Sequence, residues 1–231
     1  MREFGILYVV ATPIGNLEDI TLRALRILKE VDIIAAEDTR KTLKLLNYYK
    51  IKANLLSYRE ENKIRQGKRL ITYLKSGKNI ALVTDAGTPG ISDPGVHLVH
   101  LALKEDIKVT PIPGPSALTC ALSVAGLPTQ PFIFMGFLPQ RAARRRKLLA
   151  NLKEQPYAIV FYESPHRIKK TLKDMADIFK EREVAIIREM TKVHEEIILG
   201  LAEDILKDLE QREIKGEITV IISRAIKGDE A

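Results

Sequence analysis

Residues 79–95 read NIALVTDAGTPGISDPG, an apolar run followed by a loop whose twelve residues, 84–95, include three Gly, two Pro and two Asp. An apolar run that ends in such residues predicts a buried β-strand followed by a loop. Because glycine lacks a Cβ atom, the loop can expose backbone N–H groups for close approach by a ligand. A proline-stiffened surface loop that binds nothing is the alternative interpretation.

The pattern of an apolar run followed by a loop recurs along the first half of the chain. Runs at 6–11, 32–36, 54–57, 80–84 and 108–112 predict five strands. Between the first two, Leu22, Leu25 and Leu28 recur at helical spacing and predict a helix with these leucines in the core and Asp19 as its N-cap. Strands that alternate with helices predict an α/β domain with a largely parallel, doubly wound sheet.

The stretch TPIPGPSAL (110–118) lies near the middle of the chain and predicts a domain boundary, with domains at 1–114 and 115–231. Beyond it, strands are predicted at 131–137, 157–163, 183–189, 195–202 and 216–223. Fewer helices separate these strands, and the last strands are closely spaced. A second α/β domain with a mixed sheet is therefore expected.

Cysteine content and hydropathy restrict the compartment. The single cysteine, Cys120, excludes an internal disulfide framework and fits a reducing environment. No apolar run approaches the roughly 18 residues of a membrane span, and the N-terminal apolar run is too short for a secretion signal. A soluble, cytoplasmic protein is expected.

Basic residues are concentrated in two regions of a chain whose total charge is +7. Residues 40–78 hold twelve Lys or Arg against Glu60 and Glu61, and RAARRRK (141–147) holds five cations and no acid. Such concentration indicates a polyanionic partner, most simply nucleic acid. Solvated helix faces are the alternative explanation, and charge alone does not distinguish RNA from DNA.

Several common site motifs are missing from the sequence. There is no G-x-x-x-x-G-K-[ST], and the first strand leads into ATPIGN rather than G-x-G-x-x-G, which disfavours P-loop and dinucleotide sites. Glu37 and Asp38 end the second strand, where they suit either a ribose contact or a helix N-cap. The histidines are scattered and no cysteine pair exists, so no metal is expected.

The remaining candidates are the loops after the strands. In doubly wound sheets, ligands bind at the carboxyl ends of the strands, where these loops meet. Ser116 can cap the following helix, whose N-terminus favours an anion, and Asp85 can accept hydrogen bonds from an ammonium or hydroxyl group. A ligand with one anionic and one cationic end would suit this pair of loops.

Eight motifs, taken together and in order, resemble the ribosomal RNA small-subunit methyltransferase I family. They are LYVVATPIGNLEDIT, AAEDTR, TDAGTPGISDPG, PIPGPSAL, GFLP, FYESPHR, REMTK and the late GE. The resemblance implies the tetrapyrrole methylase fold, with two α/β domains, in a homodimer that holds S-adenosylmethionine in the cleft between the domains. It also implies methyl transfer to the ribose 2′-oxygen of a cytidine in the decoding region of 16S rRNA within the small ribosomal subunit.

The resemblance also implies which residues bind the cofactor. By position, they are Pro13 and Gly15 after the first strand, Asp85, Gly87, Thr88 and Pro89 after the fourth, Ser116 and Ala117 after the linker, and Tyr162 and Gly216 in the second domain. The methionine part is expected to meet backbone and Asp85.

A sugar hydroxyl is a poor acid, so a carboxylate or neutral lysine near the 2′-oxygen would assist methyl transfer. Glu163 is the first choice, because it ends a strand beside Pro165 and His166, and Lys192 is the second. Glu189 and Glu217 are further candidates. A structural ion pair or helix cap is the alternative role for each of them.

The predicted RNA contacts come from both basic regions. They are Arg40, Lys41, Arg59, Arg65, Arg141, Arg144, Arg145, Arg146 and Lys147. Two other functions remain open: a methyltransferase that acts on a tetrapyrrole of the corrin or sirohaem pathway, and a non-catalytic ribosome-assembly factor that binds RNA by charge alone.

Overall fold

The computed structural model describes residues 3–225 of the chain. The chain divides into two compact units, Met1–Ser116 (unit 1) and Ala117–Ala231 (unit 2). The division lies within the proline-rich stretch 110–118. Between residues 3 and 225, no helix combines the length and apolar character needed to cross a bilayer.

Unit 1 alternates strands with helices. Its strands are β1 (Leu7–Val10), β2 (Ile33–Ala36), β3 (Leu55–Ser57), β4 (Ile80–Val83) and β5 (Val109–Ile112), and its helices are α1 (Leu22–Glu30), α2 (Thr39–Tyr48), α3 (Lys63–Lys75) and α4 (Gly95–Lys104). The strands form one sheet in the order β3-β2-β4-β1-β5, and every pairing is parallel. The predicted doubly wound parallel sheet is confirmed.

The first helix differs in detail from the sequence prediction. Its N-cap is Thr21, whose Oγ1 accepts a hydrogen bond from the Ala24 N–H at 3.1 Å, and not Asp19, which ends a preceding 3₁₀ turn. Leu22 is 86 % exposed, because the buried face of α1 consists of Ala24, Ile27 and Leu28. The prediction that Leu22 lies in the core is wrong: at 100° per residue it falls outside the stripe that faces the sheet.

The helices of unit 1 cover opposite faces of the sheet. Side chains of α1 and α2 pack in one core cluster with β1, β2 and β4, while those of α3 and α4 pack in another. The connection that follows β1 therefore crosses one face, and the connection that follows β4 crosses the other. Since β1 and β4 are neighbours, their carboxyl ends form a topological switch point, where such sheets bind ligands.

Unit 2 contains a second five-stranded sheet. Its strands are β6 (Phe132–Phe137), β7 (Ala158–Glu163), β8 (Glu183–Arg188), β9 (Glu196–Leu201) and β10 (Ile218–Ile222), and its helices are α5 (Ala117–Val124), α6 (Ala142–Lys153), α7 (Ile168–Ile178) and α8 (Ala202–Glu210). The order is β6-β7-β10-β8-β9, with β6 and β7 parallel and the other pairs antiparallel. The predicted mixed sheet is confirmed.

The two faces of the unit 2 sheet are covered unequally. Helices α6, α7 and α8 contribute to a large core cluster on one face, whereas α5 packs on the other face against β7, β8 and β10. The edge strand β9 alternates between half-buried and exposed residues, and its exposed side chains are Ile197, Leu199 and Leu201. Part of this sheet therefore presents an apolar edge to solvent.

Candidate functional site

The loops that follow β1 and β4 are joined directly at the switch point. The Thr12 N–H donates to the Gly87 carbonyl at 3.0 Å, and the Gly87 N–H donates to the Thr12 carbonyl at 2.9 Å. Thr12, which is buried, also donates from Oγ1 to the Thr84 carbonyl at 3.1 Å. Three hydrogen bonds thus fix the first residues of the two loops against each other.

Gly87 has a positive φ of 82°, a backbone conformation that only glycine adopts without strain. Because its N–H and carbonyl both bond to Thr12, Gly87 shapes the loop and does not offer its N–H to a ligand. The next residue, Thr88, donates from Oγ1 to the Pro115 carbonyl at 3.0 Å, which joins the β4 loop to the chain after β5. The predicted cofactor loops of unit 1 are therefore one interlocked structure.

A network of acidic groups joins the ends of β2 and β4. Glu37 accepts from the Thr84 hydroxyl at 2.6 Å and from the Asp85 N–H at 3.2 Å. The Asp85 carboxylate in turn accepts from the Asp38 N–H at 2.9 Å and from Lys41 Nζ at 2.7 Å. Asp85 is half-buried, so its carboxylate remains open to solvent on one side. This arrangement supports the prediction that Asp85 binds a cationic group.

Asp38 is the N-cap of α2, and Glu37 braces the β4 loop. The Asp38 carboxylate accepts from the Arg40 backbone at 2.8 Å and from the Arg40 guanidinium at 2.7 Å. The Arg40 hydrogen bonds hold the pKa of Asp38 well below its usual value. Of the two roles open for this pair, the contacts favour the helix cap for Asp38.

The remaining cofactor candidates of the first half line the same edge of the unit 1 sheet or the start of α5. Gly15 is exposed, Pro13 is half-buried and Pro89 is buried. Ser116 directly precedes α5, and Ala117 is the first residue of that helix. The loop then turns into α4 through Asp93, whose two carboxylate oxygens accept from the Gly90 N–H at 2.7 Å and the Gly95 N–H at 2.8 Å.

In unit 2, Tyr162 lies among aromatic side chains. Its ring meets Phe134 and Phe137 edge to face, with centroids 5.0 and 5.6 Å away. Burial raises the pKa of the Tyr162 hydroxyl, which therefore stays protonated at neutral pH. Phe137 is largely exposed, so the cluster offers an accessible apolar face. Such a face suits a planar base and supports the assignment of Tyr162 to cofactor binding.

Glu163 is held in the interior of unit 2. Its side chain is 0 % exposed and accepts hydrogen bonds from the Ser164 N–H at 2.8 Å and the Thr171 hydroxyl at 2.7 Å. The Arg167 guanidinium forms an ion pair with it at 3.2 Å. Both carboxylate oxygens are therefore occupied. The structure favours a structural role for Glu163, the alternative that the sequence left open, over that of a general base.

Lys192 bridges two carboxylates in a strained turn. Its Nζ lies 2.7 Å from Glu189 Oε1 and 2.8 Å from Glu217 Oε2. Burial opposes its charge, but the two carboxylates raise the pKa of Lys192 above its usual value. Burial also acts on Glu189, yet the Lys192 hydrogen bond holds the pKa of Glu189 below its usual value. The two ion pairs therefore favour a protonated Lys192 over a neutral one.

Gly216 has a positive φ of 89°, which favours glycine, and it lies against Glu189 in the turn that holds Lys192. Glu189 and Thr191 have positive φ values of 53° and 65°, which are strained for residues other than glycine. A Cβ at Gly216 would lie 2.2 Å from the Glu189 carboxyl group. Gly216 therefore makes room for the Glu189 side chain, which is a role in the fold independent of any cofactor contact.

The predicted RNA contacts fall into three groups. Exposed side chains are found at Arg65, Arg141, Arg144 and Lys147. Arg40, Lys41, Arg59 and Arg146 are accessible but each pairs with a carboxylate, which for Arg59 is Glu61 at 3.9 Å. Arg145 differs from all of these: its side chain is 4 % exposed and pairs at 2.7 Å with Asp174, itself 9 % exposed. This buried pair leaves Arg145 no phosphate-binding surface.

Sequence reasoning did not identify Thr12, Thr171 or Asp174 as parts of these networks. Thr171 follows Glu163 by eight residues, and Arg167 follows it by four, so all three lie near the junction of β7 and α7. Asp174 is buried on α7 at the helical spacing of Thr171. In the sequence, these residues could have been found only as polar residues on the buried face of a helix. That face must be known before such residues can be recognised.

The protein-family model of the tetrapyrrole (corrin/porphyrin) methylases matches residues 6–206 of this chain. Ribosomal RNA small subunit methyltransferase I of Halalkalibacterium halodurans is 54 % identical over 218 residues, which is 94 % of this chain and 75 % of that protein. The Thermotoga maritima protein of the same name is 52 % identical over 219 residues, covering 95 % and 98 % of the two chains.

Solved structures with the same fold are more distant in sequence. A cobalt precorrin-4 methyltransferase superposes with a TM-score of 0.71 at 19 % identity, over 94 % of both chains. Uroporphyrin-III C-methyltransferase of Thermus thermophilus, in complex with S-adenosyl homocysteine, gives a TM-score of 0.65 at 17 % identity, over 95 % of this chain and 97 % of that one. These solved structures confirm the fold, and the sequence relatives identify the family. The chain belongs to the tetrapyrrole methylase family and, within it, to the ribosomal RNA small subunit methyltransferase I family.

Proposed function

We propose that this protein transfers the methyl group of S-adenosylmethionine to the ribose 2′-oxygen of a cytidine in the decoding region of 16S rRNA. The relatives that share about half of its residues over nearly the whole chain are named as ribosomal RNA small subunit methyltransferases. The observation that carries the proposal is the interlocked set of strand-end loops at the switch point, with Asp85 open to solvent among them. A substrate in the ribosomal subunit would place the protein in the cytoplasm.

The residues of unit 1 fit the amino-acid end of the cofactor. Asp85 already binds an alkyl ammonium group, that of Lys41, at 2.7 Å, and the α-ammonium of S-adenosylmethionine has the same charge and donors. A related fold is known with S-adenosyl homocysteine bound. When bound, the cofactor supplies a methyl group on a sulfonium centre, which is activated toward in-line displacement. The Tyr162 cluster of unit 2 is proposed for the adenine.

In the reaction, residues of this chain align the ribose and assist removal of the proton from its 2′-hydroxyl group. Much of the rate can come from alignment, because the methyl donor is already activated. Among the candidate carboxylates, Glu163 is buried, whereas the Glu217 side chain is 73 % exposed and held by Lys192. We propose Glu217 as the proton acceptor, with protonated Lys192 positioning it and Glu189 fixing Lys192.

The RNA backbone would contact the exposed cations. We propose Arg65 in unit 1, and Arg141, Arg144 and Lys147 in unit 2, as phosphate contacts, with the accessible but paired Arg40, Arg59 and Arg146 as further ones. We omit Arg145 because it is buried against Asp174. We propose that the main role of Lys41 is to pair with Asp85 and that contact with RNA is its secondary role.

We also propose a homodimer. The edge strand β9 presents Ile197, Leu199 and Leu201 on one face, and the adjoining turn presents Val193, which is 96 % exposed. Apolar side chains grouped in this way on a sheet edge favour association with a second protein surface. A second copy of the same edge, related by a two-fold axis, offers a self-complementary partner.

The proposed function is tested with labelled S-adenosylmethionine and small subunits that lack the modification. Label should appear in 16S rRNA at one ribose, and the linkage after that nucleotide should resist alkaline cleavage because the 2′-oxygen is blocked. A variant with Asp85 changed to Asn is the control and should transfer little label. Label in a corrinoid or porphyrinoid instead would establish the tetrapyrrole alternative, and absence of S-adenosylmethionine binding would establish the non-catalytic one.

A further inference from the structure

A groove of about 590 Å³ lies at the amino ends of β2 and β3 in unit 1. We call it the amino-edge groove and define it by Lys52, Arg69, Tyr73 and Lys78, which line it together with Asp32 and the first residues of both strands. In a parallel sheet, the amino ends lie opposite the carboxyl ends. The groove is therefore at the other end of the sheet from the loops proposed to bind the cofactor.

The three cations of the groove line one cavity, and two of them lie against the same aromatic ring. None of Lys52, Arg69 and Lys78 forms an ion pair with a carboxylate of residues 3–225. Arg69 donates from Nε to the Tyr73 hydroxyl at 3.0 Å, with its guanidinium carbon 5.5 Å from the ring centroid, and Lys78 Nζ lies 5.2 Å from the same centroid. Two cations at one ring raise the local positive charge, which favours a bound anion.

The groove contains one acid, Asp32, whose side chain is exposed. Asp32 accepts from the Asn79 N–H at 2.8 Å through Oδ2. With three cations against this single carboxylate, the groove keeps a net positive charge. The strand beside it, β3, is the edge of the sheet, so one row of its backbone groups faces away from β2. Backbone N–H groups and Lys or Arg side chains together are the usual donors to nucleic-acid phosphates.

Helix α3 connects the groove to the other end of the sheet. It begins after β3, at the carboxyl edge, and ends before β4, at the amino edge, so its thirteen residues span about 20 Å. A second cavity, of about 660 Å³, lies at its start and is lined by Glu61, Asn62, Ile64, Arg65 and Lys68. Arg65, Lys68 and Arg69 thus form a basic track along α3 that ends in the amino-edge groove.

We propose that the amino-edge groove binds the phosphodiester backbone of the RNA substrate at a point remote from methyl transfer. This proposal rests on the proposed function, in that it takes small-subunit RNA as the substrate. The groove contributes affinity and orientation through phosphates, without base recognition. An enzyme that must find one nucleotide in a large folded RNA gains from such a distant contact, because it restricts how the RNA can lie on the protein.

The test compares two triple variants of equal charge change. The groove variant carries Lys52→Gln, Arg69→Gln and Lys78→Gln, and the control carries Arg23→Gln, Lys29→Gln and Lys104→Gln at exposed positions of α1 and α4. Affinity for protein-free 16S rRNA and for intact small subunits is measured over a series of salt concentrations. S-adenosylmethionine affinity, and the single-turnover rate at saturating subunits, are measured in parallel.

The groove variant should bind both forms of RNA about tenfold more weakly or worse, with the log–log salt slope reduced by about two to three. Its cofactor affinity and saturating rate should stay within about twofold of the parent, and the control variant should bind RNA nearly as the parent does. Equal losses in both variants, or no loss in the groove variant, would overturn the proposal. A loss confined to intact subunits would overturn it in favour of a ribosomal protein contact. If the parent bound RNA but transferred no methyl group, the proposed function would fail while the groove result would still stand.

Discussion

Lys41 Nζ lies 2.7 Å from Asp85 Oδ2, so a residue predicted to bind RNA is paired with a residue predicted to bind the cofactor. Lys41 is 61 % exposed and can swing away from Asp85 at little cost. Together with the Asp38 N–H, Lys41 fixes the position of the Asp85 carboxylate at the end of β4. We propose that the ammonium group of the cofactor replaces Lys41 at Asp85, and that the released lysine becomes available to another anion.

Changing Asp85 to Asn should weaken S-adenosylmethionine binding about tenfold to a hundredfold, because the amide cannot provide a charge-assisted hydrogen bond to an ammonium group. Calorimetric titration measures this loss, and circular dichroism should show an unchanged fold. Lys41→Gln is the matched control, which should leave cofactor affinity unchanged or slightly higher. Equal weakening in both variants would show that Asp85 serves only to hold Lys41.

Glu163→Gln should destabilise unit 2 without removing catalysis. The glutamine amide is neutral, so the Ser164 N–H, the Thr171 hydroxyl and the Arg167 guanidinium lose a charged acceptor at a buried position, at a cost of about 1–3 kcal/mol. Thermal unfolding should therefore begin several degrees lower, and Thr171→Val should behave in the same way. The turnover rate of the folded fraction should stay within about twofold. A large loss of turnover at unchanged stability would return Glu163 to the role of general base.

The strands were predictable because each is a short, continuous apolar run that ends in Gly, Pro or Asp, as at 80–84. The position of Asp85 followed from the same pattern, since a polar residue at a strand end must face the loop edge. The burial of individual helix residues could not be predicted, because it depends on which face of the helix packs on the sheet. Leu22 and Leu25 look equivalent in the sequence, and only the packing of Ala24, Ile27 and Leu28 on the sheet shows that Leu22 faces solvent.

Prediction of the RNA contacts in the basic cluster at 141–147 also depends on which helix face is buried. Its five cations are indistinguishable by charge, yet Arg145 lies on the buried face of α6 with Leu149 and Leu152, and Arg144 does not. Spacing of four and seven residues from Arg145 to these leucines is the only sequence signal. It becomes informative once the helix is known to pack through that face.

Leu199→Glu on β9 should convert the proposed homodimer into a monomer. Leu199 is half exposed on the apolar side of the edge strand, and two buried carboxylates facing each other across a two-fold axis would destabilise association. Light scattering coupled to size exclusion measures the mass. Leu103→Glu, at an exposed position of α4, is the control and should not change it. A parent protein that is already monomeric would contradict the dimer.

Lys192→Met should lower stability by about 1 kcal/mol at neutral pH, since it leaves Glu189 without its cation. The pKa of Lys192 is raised above 10.5, so its stabilising effect is present at neutral pH and is lost only as pH rises through that higher value. The pKa of Glu189 is lowered below 4.5, so its effect is lost as pH falls through that lower value. Denaturant unfolding should therefore show the variant and the parent converging in acid. Lys207→Met, in an exposed helix pair, should change nothing, and a difference that persists unchanged in acid would exclude the ion pair as its cause.

Arg145→Ala should cost unit 2 about 3–5 kcal/mol, because it leaves the Asp174 carboxylate buried with only the more exposed Arg146 as a partner. Arg144→Ala, one residue away and exposed, should leave stability unchanged and weaken RNA binding. Denaturant unfolding and RNA titration of the two variants thus give opposite patterns. Replacing both members of the buried pair, by Arg145→Met with Asp174→Leu, should recover much of the lost stability, since no unpaired charge remains. If Arg145→Ala were stable and weakened RNA binding as much as Arg144→Ala does, the buried ion pair would not describe the protein in solution, and Arg145 would rejoin the RNA contacts.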